Sequence, residues 1–294
     1  MGTVVVIGVF DGTHLGHTAL LAAARAHAAG RSIIALTFWP HPLTVLAPAR
    51  APALLMSLAQ RITALHEAGA DEVLVQQFTA EFASQSPQSF ITTVLLPLHP
   101  DVVVVGENFT FGANASGNPA TLLNDGRFEV VVVPLVAIGV LASSSTLVRQ
   151  ALAVGDVAMA ASHLGRPFAI TGEVVVGDQR GHSLGYPTAN LALSADADLL
   201  VPADGVYAGW LRIAATPDPH RMPAAISVGS NPTFQHVERR VEAHAIGRAD
   251  LELYGQEVTV EFVTRLRDMV RFNSRDELVS QLAQDVLAVR AALT

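Results

Sequence analysis

The chain contains no cysteine. Disulfides, thiolate nucleophiles and cysteine-ligated zinc are therefore excluded from the outset. It contains no lysine either, so all 18 basic residues are arginine. A P-loop places a lysine on the β- and γ-phosphates and a protein kinase places one on its third strand, so both routes to ATP are closed. Any phosphate chemistry falls to arginine, histidine, backbone N–H groups or a metal. Charged residues are sparse at 15%, the formal net charge is -8, and no basic run stands out. That balance argues against nucleic acid or an anionic membrane as a partner. The longest apolar run, Val130 to Ala142, is interrupted by Pro134 and Gly139 and is too short to cross a bilayer. No charged segment leads into an apolar one at the N-terminus, so no signal peptide is expected and a cytoplasmic location is.

Half of the residues are hydrophobic, which excludes disorder, and 294 residues favour two domains over one core. Short Val- and Ile-rich runs at Thr3–Val9, Ser32–Phe38, Glu72–Gln76, Asp101–Val105 and Phe128–Val133 suit strands buried on both faces. Helical stretches such as Thr18–Ala29 and Leu58–Ala68 separate several of them, which predicts an open, doubly wound α/β sheet. Ser144 to Leu164 reads as two short helices, capped by Ser144 or Ser145 and by Asp156 and stopped by Gly155 and Gly165. The expected division is 1–165 and 166–294. Beyond it, strands at Ala169–Val176, Gly205–Ile213, Ala224–Val228, Arg240–Ile246 and Val258–Phe262 predict an antiparallel barrel or sandwich. A last helix opens at Ser274 with a capping box to Glu277 and runs to about Ala292. "LAPARAPALL", Leu46 to Leu55, is expected to be a mobile surface loop.

Several stretches carry chemistry. In "GVFDGTHLGH", Gly8 to His17, a strand runs through a tight turn into a helix start, where free N–H groups and the helix dipole suit a polyphosphate and histidines add donors. By itself the pattern is short, and ordinary core or surface histidines, or a zinc site with His41, stay open. "VVVGENFTFGANASG" is a strand entering a glycine-bounded loop, the place where open α/β sheets bind ligands. "SSSTLVRQAL" offers three serine hydroxyls and Arg149 at a helix start. Further on, Thr188 and Asn190 in "LGYPTANL" would share one face of an extended segment, and two neutral oxygens suit part of a Mg²⁺ shell. The glycine-rich "GDQRGHSLG", with Gly177 and Gly181, reads as a phosphate loop or a hairpin connection.

The ordered set "GVFDGTHLGH", "TFWPHP", "VVVGENFTFG", "SSSTLVR", "GRPFAITGEVVVGDQRGHSLGYPTANL" and "LYGQEVTVEFVTRLRDMVRFNSRDEL" resembles the bacterial bifunctional riboflavin kinase/FMN adenylyltransferase (FAD synthetase) family along essentially the whole chain. The resemblance implies a Rossmann-like, HUP-type nucleotidyltransferase domain followed by a riboflavin kinase barrel. It implies ATP as co-substrate, riboflavin, FMN and FAD as substrates and products, and Mg²⁺. In the transferase half it assigns His14 and His17 to the ATP phosphates. Gly8, Phe10, Asp11 and Gly16 would belong to the nucleotide turn, and Ser144, Ser145, Thr146 and Arg149 to the β- and γ-phosphates. Asn108 and Phe109 would lie in the flavin loop. In the kinase half it assigns Thr188 and Asn190 to metal and nucleotide, Gly177 and Gly181 to phosphate, Glu242 to the general base, and Arg265 and Arg267 to the riboflavin side. Two readings stay open here: a transferase-only paralogue with an inactive flavin-binding barrel, suggested by Gly247 close to Glu242, and a non-enzymatic flavin carrier. Oligomeric state is not legible.

Overall fold

The computed structural model describes residues 2–177, 186–193, 198–213, 221–230, 239–248 and 251–294. The chain divides into two compact units, Met1–Ser145 and Thr146–Thr294.

The first unit is built on five parallel strands: β1 (Thr3–Ile7), β2 (Ile33–Trp39), β3 (Glu72–Gln77), β4 (Pro100–Gly106) and β5 (Glu129–Val133), in the order β3-β2-β1-β4-β5. β1 pairs in parallel with both β2 and β4. Because successive side chains alternate across a strand, Val4 and Val6 enter one core with Leu21, Ala24 and Leu65, while Val5 and Ile7 enter another with Leu36, Phe90 and Ile91. Burying both faces explains why β1 and β4 carry unbroken Val/Ile runs and why β2 is apolar at every position but Thr37. The edge strands β3 and β5 keep exposed glutamates, Glu72 and Glu129. After β5 come the two-residue strands β6 (Ala137–Ile138) and β7 (Leu141–Ala142), which pair with each other.

The expected loop at Leu46–Leu55 is not a loose surface segment. Pro42–Leu46 is a short helix, Pro48–Arg50 is a 3₁₀ turn, and Leu54 and Leu55 are buried. Composition there reflects small residues on a turn, while the two leucines and Met56 fill core space.

The second unit begins one residue into the helix Ser145–Ala153, and the helix Val157–Leu164 follows. Asp156 caps the latter by accepting the Met159 N–H, and Gly165 ends it in the left-handed region. A closed barrel follows, made of β8 (Phe168–Val175), β9 (Ala189–Ala192), β10 (Gly205–Ile213), β11 (Met222–Ser230), β12 (Arg239–Ala245) and β13 (Glu257–Arg267) in the cyclic order β10-β11-β12-β9-β8-β13. All pairings are antiparallel. β10 and β13 cross so closely at Gly209 that a Cβ there would run into the Glu261 carbonyl.

The C-terminal helix, Arg275–Ala292, is capped by Ser274 accepting the Glu277 N–H at 3.1 Å. The Glu277 carboxylate returns to the Asn273 N–H, one residue earlier than the predicted capping box. Val289 packs with Ala208 and Ile246, and Arg267 of β13 forks onto Asp285 through bonds of 2.8 and 2.7 Å. Asp285 is 4% exposed and also accepts from Gln281. Removing one partner of such a pair strands the other, so Asp285→Ala is expected to cost the second unit about 3 kcal/mol. Urea denaturation followed by hydrogen exchange of residues 275–292 checks this, and unchanged protection would show that the pair does not anchor the helix.

Candidate active sites

Strand order reverses at β1, and the carboxyl ends of β1, β2, β4 and β5 surround a cleft of about 710 Å³. This is the switch-point crevice where open α/β sheets take ligands. Gly8 and Val9 follow β1 into it, and Phe38, Gly106 and Val133 come from the ends of β2, β4 and β5. His14, Gly16, His17, His41, Asn108, Phe109 and Ser144 also line it. No Asp, Glu or Arg is among its lining residues, so nothing fixed in its wall repels a polyphosphate.

The histidines are held by the turn. His14 is the N-cap of the helix Leu15–Ala28, its Nδ1 accepting the Gly16 N–H at 3.1 Å. An accepting Nδ1 leaves the ring proton on Nε2. His14 and His17 stack with centroids 3.7 Å apart, and Phe10 meets His17 edge-on at 5.2 Å. Phe10 is fully buried and Asp11 is 1% exposed, and neither lines the cleft. The Asp11 carboxylate turns inward and accepts the Leu55 N–H at 3.1 and 3.2 Å. The Ser145 hydroxyl donates to the Asp11 carbonyl at 2.8 Å, tying the serine run to the histidine turn. Thr146 and Arg149 stand on the helix Ser145–Ala153 and belong to the second unit. Among the described residues, no three His, Asp or Glu side chains gather as a metal site.

The apolar half of this cleft was not anticipated. Phe38, Phe78, Phe82, Phe90, Phe111 and Phe109 form a chain of ring contacts, each 5.3 to 6.1 Å from the next. Only 6% of the residues are aromatic, and the crowding of Phe between residues 78 and 111 was the signal available.

The second group of polar residues lies on the barrel. Glu242 of β12 stands directly opposite Asn190 of β9, and the Thr188 hydroxyl reaches the Glu242 carboxylate at 3.5 Å. Asn190 is 8% exposed, and its Oδ1 is buried with no hydrogen-bond partner among the described residues. Leaving such an acceptor unpaired costs about 1–3 kcal/mol, so its position favours an electropositive ligand. His244, two residues on from Glu242, donates its Nδ1–H to the Pro187 carbonyl at 2.8 Å and steadies the approach to Thr188. Gly177 lies against the Asn190 amide, while Gly181 falls outside the described residues. Gly247 has φ 77° and open space around it, a turn residue after β12. Arg265 and Arg267 are engaged within the barrel, the first with the Asp204 carbonyl and Asp268, the second with Asp285.

Residues 1–147 match the family model described as FAD synthetase, and residues 164–293 match the one described as riboflavin kinase. The bifunctional riboflavin kinase/FMN adenylyltransferase of Escherichia coli (strain K12) is 37% identical over 98% of this chain and 92% of its own length. Its namesake in Bacillus subtilis (strain 168) is 32% identical over 96% of this chain and 90% of its own. A crystal structure from Streptococcus pneumoniae, described as a macrolide-efflux protein, is 35% identical with a TM-score of 0.88, covering 98% of this chain and 94% of that one. No described helix is long and apolar enough to cross a membrane.

Fold and sites together define a two-domain enzyme of ATP-dependent phosphate chemistry. The chain belongs to the bifunctional riboflavin kinase/FMN adenylyltransferase family: it phosphorylates riboflavin to FMN and adenylylates FMN to FAD.

A methyl group at Gly177 would collide with the Asn190 amide and push it aside. A shift of about 1 Å can cost about 10²-fold, so Gly177→Ala is expected to lower FMN formation by up to that factor while FAD formation from FMN is kept. Steady-state assays of both reactions check it, and an unchanged kinase rate would show that the position of this amide does not matter.

Proposed function

We propose that the cleft of the parallel sheet is the adenylyl-transfer site and the Thr188–Asn190–Glu242 group the kinase site, with residues 1–165 and 166–294 as the two functional halves. The observation that carries this reading is the separation itself: stacked histidines at the switch point of one fold, and a buried, unpaired amide oxygen beside a carboxylate on the other.

In adenylyl transfer, an FMN phosphate oxygen attacks the α-phosphorus of ATP and pyrophosphate leaves, so no protein nucleophile is needed. His14 and His17 hold the departing phosphates and spread their charge, with Ser144 and Ser145 completing the grip. The absence of carboxylates from the cleft lining suits this role. The phenylalanine chain suits the flat apolar ring system of a flavin, with Asn108 and Phe109 at its edge. The buried side chains of Phe10 and Asp11 support the turn.

In the kinase reaction, the ribityl hydroxyl oxygen attacks the γ-phosphorus, ADP leaves, and Glu242 takes the hydroxyl proton. Thr188 and Asn190 are hard oxygen donors that fit Mg²⁺, and Asn190 Oδ1 is a buried acceptor with no hydrogen-bond partner among the described residues. When bound, the metal neutralises phosphate charge. The Thr188 hydroxyl also restrains the Glu242 carboxylate, holding it toward β9.

His17→Ala should lower FAD formation by about 10²- to 10³-fold, the scale of losing one preorganised charge stabiliser, while FMN formation survives. Glu242→Gln should lower FMN formation by about 10²- to 10⁴-fold and spare FAD formation from supplied FMN. Chromatographed time courses with riboflavin or FMN, ATP and Mg²⁺ read both reactions. Equal loss of both in either folded variant would sink the two-site assignment.

A further inference from the structure

We propose that Arg61 is a positioning residue for adenylyl transfer, acting through Asp11 on the turn that presents His14 and His17. The proposal deepens, and rests on, the reading of those two histidines as phosphate holders.

Arg61 is fully buried, with 0% of its surface exposed, and it is the bulkiest of the fully buried side chains among the described residues. It projects from the helix Leu58–Glu67, whose start is fixed by a reciprocal capping box between Ser57 and Gln60. Its guanidinium makes three contacts at the carboxyl ends of neighbouring strands. It pairs with the Asp11 carboxylate at 3.6 Å, donates to the Phe38 carbonyl at 3.2 Å, and lies 5.5 Å over the Trp39 ring. A buried ion pair is seldom more stabilising than apolar side chains of the same volume, so stability alone gives this one no clear advantage.

The turn supplies the advantage. Phe10, Gly12 and Thr13 have φ of 57°, 84° and 40°, the left-handed region. A bulky residue and a β-branched one are strained there and stay only where their surroundings over-determine them. Asp11 sits between Phe10 and Gly12, and its carboxylate accepts the Leu55 N–H and forms an ion pair with Arg61. Three residues later the same backbone becomes the His14 cap, with Phe10 edge-on to His17. A guanidinium that fixes Asp11 therefore fixes the two imidazoles. Its hold on Phe38 and Trp39 secures the chain just before His41, a third imidazole of the cleft wall.

The test compares full-length wild type, Arg61→Met, Arg61→Lys, Asp11→Asn, His17→Ala and the Arg61→Met/His17→Ala double variant. The kinase rate of the same molecules serves as an internal reference. Arg61→Met is expected to lower kcat for FAD formation by about 10²-fold with KM for FMN little changed, and the kinase rate should be kept. Arg61→Lys should recover most of the loss. In the His17→Ala background Arg61→Met should add little, because residues acting as one unit are not additive. Asp11→Asn keeps an oxygen for the Leu55 N–H but removes the charge, so it should fall in the same direction. It also decides the matter if Arg61→Met does not fold. Wild-type kcat in either Arg61→Met or Asp11→Asn, or losses that multiply with that of His17→Ala, would overturn the proposal. If His17→Ala itself leaves FAD formation intact, the histidine reading fails and this proposal fails with it. A crippled His17→Ala beside an unaffected Arg61→Met sinks the Arg61 proposal alone.

Discussion

β1 is hydrogen-bonded on both sides, to β2 and to β4, and everything around the cleft of the parallel sheet depends on that double pairing. A strand in this position must bury both faces, so it must be apolar throughout, and it must stop where the crossovers diverge. The chain answers with Val-Val-Val-Ile followed by Gly8, and then with the turn that carries the histidines. The cleft is thus a by-product of strand order, and its chemistry is added by whatever side chains the turns bring to the rim.

The barrel reaches a comparable result by a different constraint. Closure puts β9 between β8 and β12, which sets Asn190 opposite Glu242 without any turn chemistry at the site. One half places its polar groups at strand ends and the other places them on strand walls. This difference fits two kinds of phosphate transfer. One needs only a grip on a leaving pyrophosphate, and the other also needs a base beside the attacking hydroxyl.

Much of this was legible because pattern and burial coincide. The central strands of the sheet read directly from Val/Ile runs, and the cap at Asp156 and stop at Gly165 read from local chemistry. β9 was harder, since "ANLA" is short, contains an asparagine and lacks β-branched residues. The buried end of Leu46–Leu55 was hidden by its Ala/Pro composition. Arg61 could not be read at all: an arginine at helical spacing looks like a solvated face, and only the fold brings Asp11 to it from 50 positions earlier. Arg265 and Arg267 were singled out by family resemblance alone, and no spacing in the chain shows their bonds to the Asp204 carbonyl and to Asp285.

The pairing of Asn190 with Glu242 has one more consequence. Side chains alternate along a strand, so a slip of β9 by a single residue would turn Asn190 to the opposite face and bring Ala189 or Leu191 against the carboxylate. Such a misclosed barrel could keep its compactness and most of its ladder. On the kinase-site assignment proposed above it would be catalytically silent, so turnover there would work as a gauge of strand register, reporting a folding error that bulk measures of structure would miss.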